Sequence, residues 1–244
     1  DGDAEAALKA ADRVVVGEYY LPHIAHASME PPVATARWAD GKIEVWAPVQ
    51  SPGGTREDLA KTLEIPIENV TVNVTLLGGG FGRKSKCDFA IEAALLAREL
   101  GAPVRVQWTR EDDIHHDFYH TVSAERIEAG LDKSGKVVAW RHRSAAPSIG
   151  STFAPDVKHQ QPFELGMGLI DLPFDIANVR CENPEAAAHT RIGWYRAVSN
   201  IPHGFAVQSM VAEIAHATGR DPKDVLLELI GPARIVPFSA SVEK

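Results

Sequence analysis

The chain has 244 residues, enough for one large domain or two smaller lobes. Its 25 Lys and Arg against 33 Asp and Glu give a net charge of −8, which argues against a nucleic-acid footprint. No apolar run approaches the ~20 residues of a membrane span, and "DGDAEAALKAADR" lacks the apolar core of a signal peptide. Cys87 and Cys181 are too few to form a metal site alone and do not suggest a disulfide scaffold, so the compartment stays open. The abrupt start and the stop in "IGPARIVPFSASVEK" are expected to be cuts through a larger protein.

In chain order, "AEAALKA" predicts a short helix and "RVVVGEYYL" a strand of β-branched and aromatic residues. "VATARWADGKIEVWAP" predicts a hairpin turning at Asp40-Gly41. "TREDLAKTLEI" predicts a helix capped by Thr55 with Asp58 three residues on. "ENVTVNVTLL" alternates, with Val70, Val72, Val74 and Leu76 on one face. After a glycine-rich loop, "DFAIEAALLARELG" predicts a helix capped by Asp88 and closed by Gly101, with Phe89, Ala93, Leu96 and Leu100 on one side. A strand in "APVRVQWTR" and a hairpin turning at residues 132–135 follow. Residues 144–188 read as a long, ordered excursion. Two helices, "GFAVQSMVAEIAHATG" and "PKDVLLELIG", complete the pattern, the second capped by Asp221. The expected fold is α+β, with mixed sheets, hairpins and packed helices; sub-lobes would divide near 1–145 and 146–244.

The loop "TLLGGGFGRKSKCDF" (75–89) carries the chemistry. It is not a Walker loop, because Arg83 separates Gly82 from Lys84, and it does not fit G-x-G-x-x-G. Two readings stay open. One is an anion site at a helix start, with Arg83, Lys84 and Lys86 adding charge and Phe81 walling off a flat ligand. The other is a tight turn that lets a strand and helix pack closely. His115, His116 and His120 invite a metal, but a solvated polar loop accounts for them, and "TREDD" reads as a strand-end turn. His23 and His26 read as packed histidines, and Glu30 as buried and hydrogen-bonded. Trp38, Trp46, Trp108 and Trp140 read as core residues on strands.

Taken together, "YYLPHIAHASMEPPVATARW", "WAPVQSP", "LLGGGFGRKS", "PVRVQWTREDDI" and "TRIGWYRAVSNIPHGFAVQSMVAEIAHATGRDP" resemble the molybdenum hydroxylases of the xanthine dehydrogenase and aldehyde oxidase family. The resemblance runs in order over nearly the whole chain and points to the isoquinoline 1-oxidoreductase type of large (beta) subunit. It implies the front part of a molybdopterin-binding region, holding a molybdopterin cytosine dinucleotide with its molybdenum. Such an enzyme hydroxylates N-heterocycles or aldehydes with oxygen from water and passes electrons to 2Fe-2S clusters on a small partner subunit. The resemblance places Gln50 near the metal oxo group, sets Gly79, Gly80, Phe81 and Gly82 against the metal–pterin unit, and brings Arg196 to the pterin region. No residue here is implied as a direct metal ligand. Ser85 stands where purine-oxidising members carry an acidic residue, and Ala197-Val198-Ser199 replaces a glycine-rich turn. The glutamate base of the family lies in a "GxGE" stretch that this chain lacks, so the isolated chain is expected to be inactive. The alternative is a catalytically silent assembly domain that binds no cofactor alone. The remainder of the large subunit is an expected partner. The resemblance allows either side of a bacterial membrane.

Overall fold

In the computed structural model, which describes residues 1–154 and 156–233, the chain forms two compact units of α+β architecture. Each is built from separated segments: one from residues 24–120 and 190–196, the other from the described residues of 1–23, 121–189 and 197–233.

The first unit is organised by the Asp40-Gly41 hairpin. Both turn residues have positive φ, +50° and +72°, the backbone that a two-residue hairpin turn of matching twist requires. The turn joins β2 (Val33–Ala39) to β3 (Lys42–Ala47). The parallel strand β4 (Val70–Val74) and the antiparallel strand β5 (Val104–Gln107) flank the pair, giving the order β4-β3-β2-β5. Helices α2 (Pro52–Leu63) and α3 (Asp88–Leu100) close the core. The buried face of α3 is Phe89, Ala90, Ala93, Ala94 and Ala97, so small side chains bring the helix backbone near the sheet. Sinking Phe89 alone contributes about 1.5–3 kcal/mol.

Five expectations are corrected here. The N-cap of helix α2 is Ser51, not Thr55; Pro52 is preorganised for the first turn, and the buried Thr55 hydroxyl donates back to Ser51 O at 2.9 Å. Cys87, not Asp88, caps α3, because the Asp88 carboxylate is engaged by Arg83. Leu96 and Leu100 face outward, and β4 ends at Val74 with Leu76 exposed. The "TREDD" run forms helix α4 (Arg110–His115), started by a reciprocal Thr109–Asp112 capping box.

The second unit is a sheet of order β1-β6-β7-β8. The long hairpin of β6 (Ser123–Leu131) and β7 (Val137–Ala145) forms its centre, and the Asp132 carboxylate accepts the Ser134 and Lys136 N–H groups in the turn. Strand β1 (Arg13–Leu21) runs antiparallel to β6, and β8 (Asn178–Glu182) parallel to β7. Strand β8 emerges from the segment read as an excursion, which also holds the short helix α5 (Pro162–Leu165). Helices α1 (Ala4–Ala10) and α6 (Asn200–Thr218) cover the sheet, and α7 (Pro222–Ile230) packs against α6. Trp140, Ile127, Met210 and Ile214 are buried in this core. Helix α6 begins four residues before the expected Gly204, and Asp221 caps α7 through the Lys223 N–H at 2.8 Å.

Candidate cofactor site

The glycine loop is shaped by the protein around it. Gly79 and Gly82 have φ of +100° and +104°, and Phe81 adopts +55°, a region that non-glycine residues enter at a cost. A Cβ on Gly82 would stand 2.0 Å from the Trp194 carbonyl oxygen. One on Gly80 would stand 2.4 Å from Gln50 Oε1, and one on Gly78 2.4 Å from Glu30 Cβ. Glycine is therefore required at positions 82 and 78 by close approach of the protein's own chain, whereas at Gly80 the nearest atom is the movable end of the Gln50 side chain.

The charges of the loop are likewise committed inward. Arg83 and Lys84 are almost wholly buried. Arg83 makes a bidentate pair with Asp88 at 2.9 Å for both bonds, faces Asp117 at 3.1 Å, and lies against the Trp108 and Phe118 rings. Lys84 Nζ donates to Glu30 Oε2 at 2.5 Å, and the same oxygen accepts the Gly78 N–H at 3.1 Å. An anion site built on Arg83 and Lys84 is thereby overturned, since both are spent on buried ion pairs. Burial lowers the Lys86 pKa, against the pull of Asp58, Cys87 and Asp88.

The loop's donors remain. Gly78 N–H goes to Glu30, Gly82 N–H to Gln50 Oε1 at 2.9 Å, and Arg83 N–H to Gly80 O at 2.9 Å. The N–H groups of Gly79, Gly80 and Phe81 have no acceptor among the described residues. Gln50 is tied twice: its own N–H donates to Lys84 O at 2.8 Å, and its side-chain oxygen is held by Gly82. The bond from Gly82 fixes which end of the amide is oxygen, leaving the exposed NH2 to donate. Three consecutive N–H groups and an oriented amide NH2 suit a ligand rich in oxygen and ring-nitrogen acceptors. The residues present fit a metal–pterin group.

Arg196 is exposed, two residues past Trp194. Trp194 O contacts the loop at Gly82, so the chain leading to Arg196 is seated against the glycine run. Ala197 and Val198 follow at φ of +68° and +48°; the β-branched Val198 is the more strained of the two.

His26, read from the sequence as a packed histidine, is buried as expected and also touches this arrangement. Its ring is buried between the Asp117 carboxylate, 3.0 Å from Nδ1, and Trp194 O, 2.6 Å from Nε2. Spacing gave no signal, since Asp117 lies 91 residues away and Trp194 168. Glu30 is half-buried and hydrogen-bonded. Trp108 falls one residue beyond β5 and donates to Glu92 at 2.7 Å. His115 and His116 pair their rings on α4 while His120 is buried beyond it; no metal-ligating group of three exists among the described residues.

The other unit holds a buried polar network. Glu125 accepts from Ser123 and, at 3.0 Å, from Ser144, and lies 2.8 Å from His142 Nε2. Ser144 also meets His203 Nε2 at 3.1 Å, and His203 Nδ1 lies 2.9 Å from Met167 O. Burial pushes the His203 pKa down, partly offset by Glu125. Burial alone would raise Glu125, but the bonds and charge of His142, with His203 and Ser123, hold it below its usual value.

A fold of this kind, with a donor-lined glycine loop, is that of a pterin-cofactor protein, and its known relatives agree. A family profile described as the molybdopterin cofactor-binding domain matches residues 1–228, and the chain belongs to that family. A nicotinate dehydrogenase component of Pseudomonas putida is 31% identical over 241 residues, covering 96% of this chain and 20% of the relative. The beta component of isoquinoline 1-oxidoreductase from Brevundimonas diminuta is 30% identical over 207 residues, 82% of this chain and 26% of the relative. The chain thus spans about a fifth to a quarter of the length of these relatives. The solved aldehyde oxidoreductase of Desulfovibrio gigas superposes with a TM-score of 0.76 at 20% identity, over 91% of this chain and 24% of that one. Quinoline 2-oxidoreductase of Pseudomonas putida gives 0.76 at 20% identity, over 93% and 29%.

Proposed function

We propose that the chain is the cofactor-binding portion of a molybdenum hydroxylase large subunit that oxidises N-heterocycles or aldehydes with oxygen from water. The observation that carries this reading is the row of Gly79, Gly80 and Phe81 N–H groups, without an acceptor among the described residues, beside a Gln50 amide whose oxygen is already held by Gly82. The cofactor is taken to be the molybdopterin cytosine dinucleotide, with electrons leaving to 2Fe-2S clusters of a partner subunit. When bound, that group supplies the oxidation and reduction chemistry. The protein's part is orientation. Gly79, Gly80 and Phe81 would give backbone donors to the group, the Gln50 NH2 would donate to it, and Arg196 would offer a guanidinium beside the loop. Such donors, fixed before reaction, act most strongly where negative charge develops.

Nicotinate, isoquinoline and quinoline, the substrates named in three relatives, are N-heterocycles, which favours that class. Ser85 weighs against a purine, because its hydroxyl is turned inward to Gly82 O and offers no carboxylate.

The test is Gln50→Ala in the complete two-subunit enzyme. The expected result is turnover reduced roughly a hundredfold, the effect of losing one transition-state donor, with molybdenum content retained. Normal turnover at normal metal content would remove Gln50 from the site.

A further inference from the structure

The geometry points to Glu30 as a positioning residue for the cofactor loop: braced by Lys84, it holds both polar groups of Gly78 and so fixes the direction of the Gly79 N–H, one of the donors left for the cofactor. Only the purpose of this clamp rests on the cofactor reading; the clamp itself stands on the following contacts.

Glu30 meets Gly78 twice. Its Oε2 accepts the Gly78 N–H at 3.1 Å, and its own backbone N–H donates to Gly78 O at 3.0 Å. The fit is tight, since a Cβ on Gly78 would stand 2.4 Å from Glu30 Cβ. The second bond acts on the next residue. A trans peptide is planar, so its N–H points opposite to its carbonyl. Gly78 O turned toward Glu30 therefore turns the Gly79 N–H away from Glu30. The same relation holds further along the loop. Arg83 N–H holds Gly80 O at 2.9 Å, and this directs the Phe81 N–H. Two of the three open donors thus have their direction set through the carbonyl of their own peptide.

The surrounding chain keeps Glu30 in place. Pro31 restricts the residue before it to extended backbone, and β2 begins at Val33. Lys84 is fully buried, and its Nζ lies 2.5 Å from the oxygen that accepts the Gly78 N–H. Lys84 also secures the far end of the glycine run. Its backbone oxygen accepts the Gln50 N–H at 2.8 Å, and Gln50 Oε1 accepts the Gly82 N–H at 2.9 Å. Both ends of the run are therefore tied to one buried residue. Core packing alone does not account for Glu30, whose side chain is still 32% exposed.

The first experiment uses the full chain without cofactor. Exchange of the Gly78 amide hydrogen is read against that of Ala93 inside α3, which reports the stability of the core. In Glu30→Ala, Gly78 exchange is expected to accelerate about tenfold relative to Ala93, as for loss of one hydrogen bond. In Glu30→Gln, whose amide oxygen can still accept, it is expected to stay near the wild-type rate. In the complete two-subunit enzyme, Glu30→Ala is expected to hold less molybdenum per folded subunit, and Glu30→Gln the wild-type amount. A Gly78 rate that moves only in step with Ala93 would overturn the proposal. So would a glutamine variant no better than the alanine one, or a loosened Gly78 with unchanged molybdenum. Should Glu30→Ala not fold, the wild-type chain decides, because a Gly78 amide exchanging as fast as in an unstructured peptide would also overturn it. The cofactor reading fails separately, if Gln50→Ala leaves turnover intact at normal metal content.

Discussion

Gly82→Ala is the sharpest test of how the loop is built. A Cβ there lies 2.0 Å from Trp194 O and 2.5 Å from Trp194 C, both backbone atoms that cannot rotate away. The φ of +104° adds strain that no neighbour can relieve. Strain of this type costs about 1–3 kcal/mol, and forcing an atom into a filled space about 1–3 kcal/mol more. The sum, near 4 kcal/mol, corresponds to a fall in Tm of roughly 8–16 °C for a chain of this size. Gly101→Ala is the control: φ is +61° and nothing lies within 4 Å of its Cβ, so only the glycine preference at a helix end is lost, about 1 kcal/mol or ~2–4 °C. Differential scanning calorimetry of the two variants gives the comparison directly. Equal shifts would mean that the Trp194 carbonyl does not seat on Gly82. The same variant separates two uses of the glycine. If the Cβ slot belonged to a ligand, Gly82→Ala would lose cofactor at unchanged Tm.

Lys84→Ala removes one partner of a buried ion pair and should destabilise by about 3–5 kcal/mol, read by urea denaturation; Lys84→Met with Glu30→Gln should recover part of it, and no recovery would refute the pairing as the cause. Burial raises Cys87 to about 12 and Cys181 to about 11, so a thiol reagent at pH 8 should modify neither in the native chain and both after unfolding. The pH dependence follows from His203 and Glu125. Both have depressed folded values, so the unfolded chain takes up their protons first on acidification. Each contribution is present above the unfolded value, 6.5 for His and 4.5 for Glu, and is lost as pH falls from there through the group's depressed folded value. Each proton adds a slope of about 1.4 kcal/mol per pH unit. His203→Gln should flatten the first limb of a stability–pH curve, and an unchanged curve would refute the assignment.

Local chemistry was legible in the sequence wherever a local rule decided the outcome. Asp40-Gly41 needs positive φ at two adjacent positions, and the hairpin followed. Asp221-Pro222 starts a helix by a cap and a preset φ, and so it does. Where two residues compete for one role, the sequence does not choose. Asp88 is a fair cap by type, yet Arg83 claims it, and that pair exists only once the loop folds back. Strand β8 carries few apolar residues and was hidden because its parallel partner β7 lies more than thirty residues away. The glycine loop marks the limit most clearly. Its composition announces close approach, but not of what. The approaching atoms, Glu30, Gln50 and Trp194 O, come from positions up to 112 residues from the loop's Gly82. Packing against the added Cβ positions at Gly78, Gly80 and Gly82 coexists with unbonded N–H groups at Gly79, Gly80 and Phe81 among the described residues. A turn that must pass tightly against its own protein is thereby also the turn with N–H groups left to give.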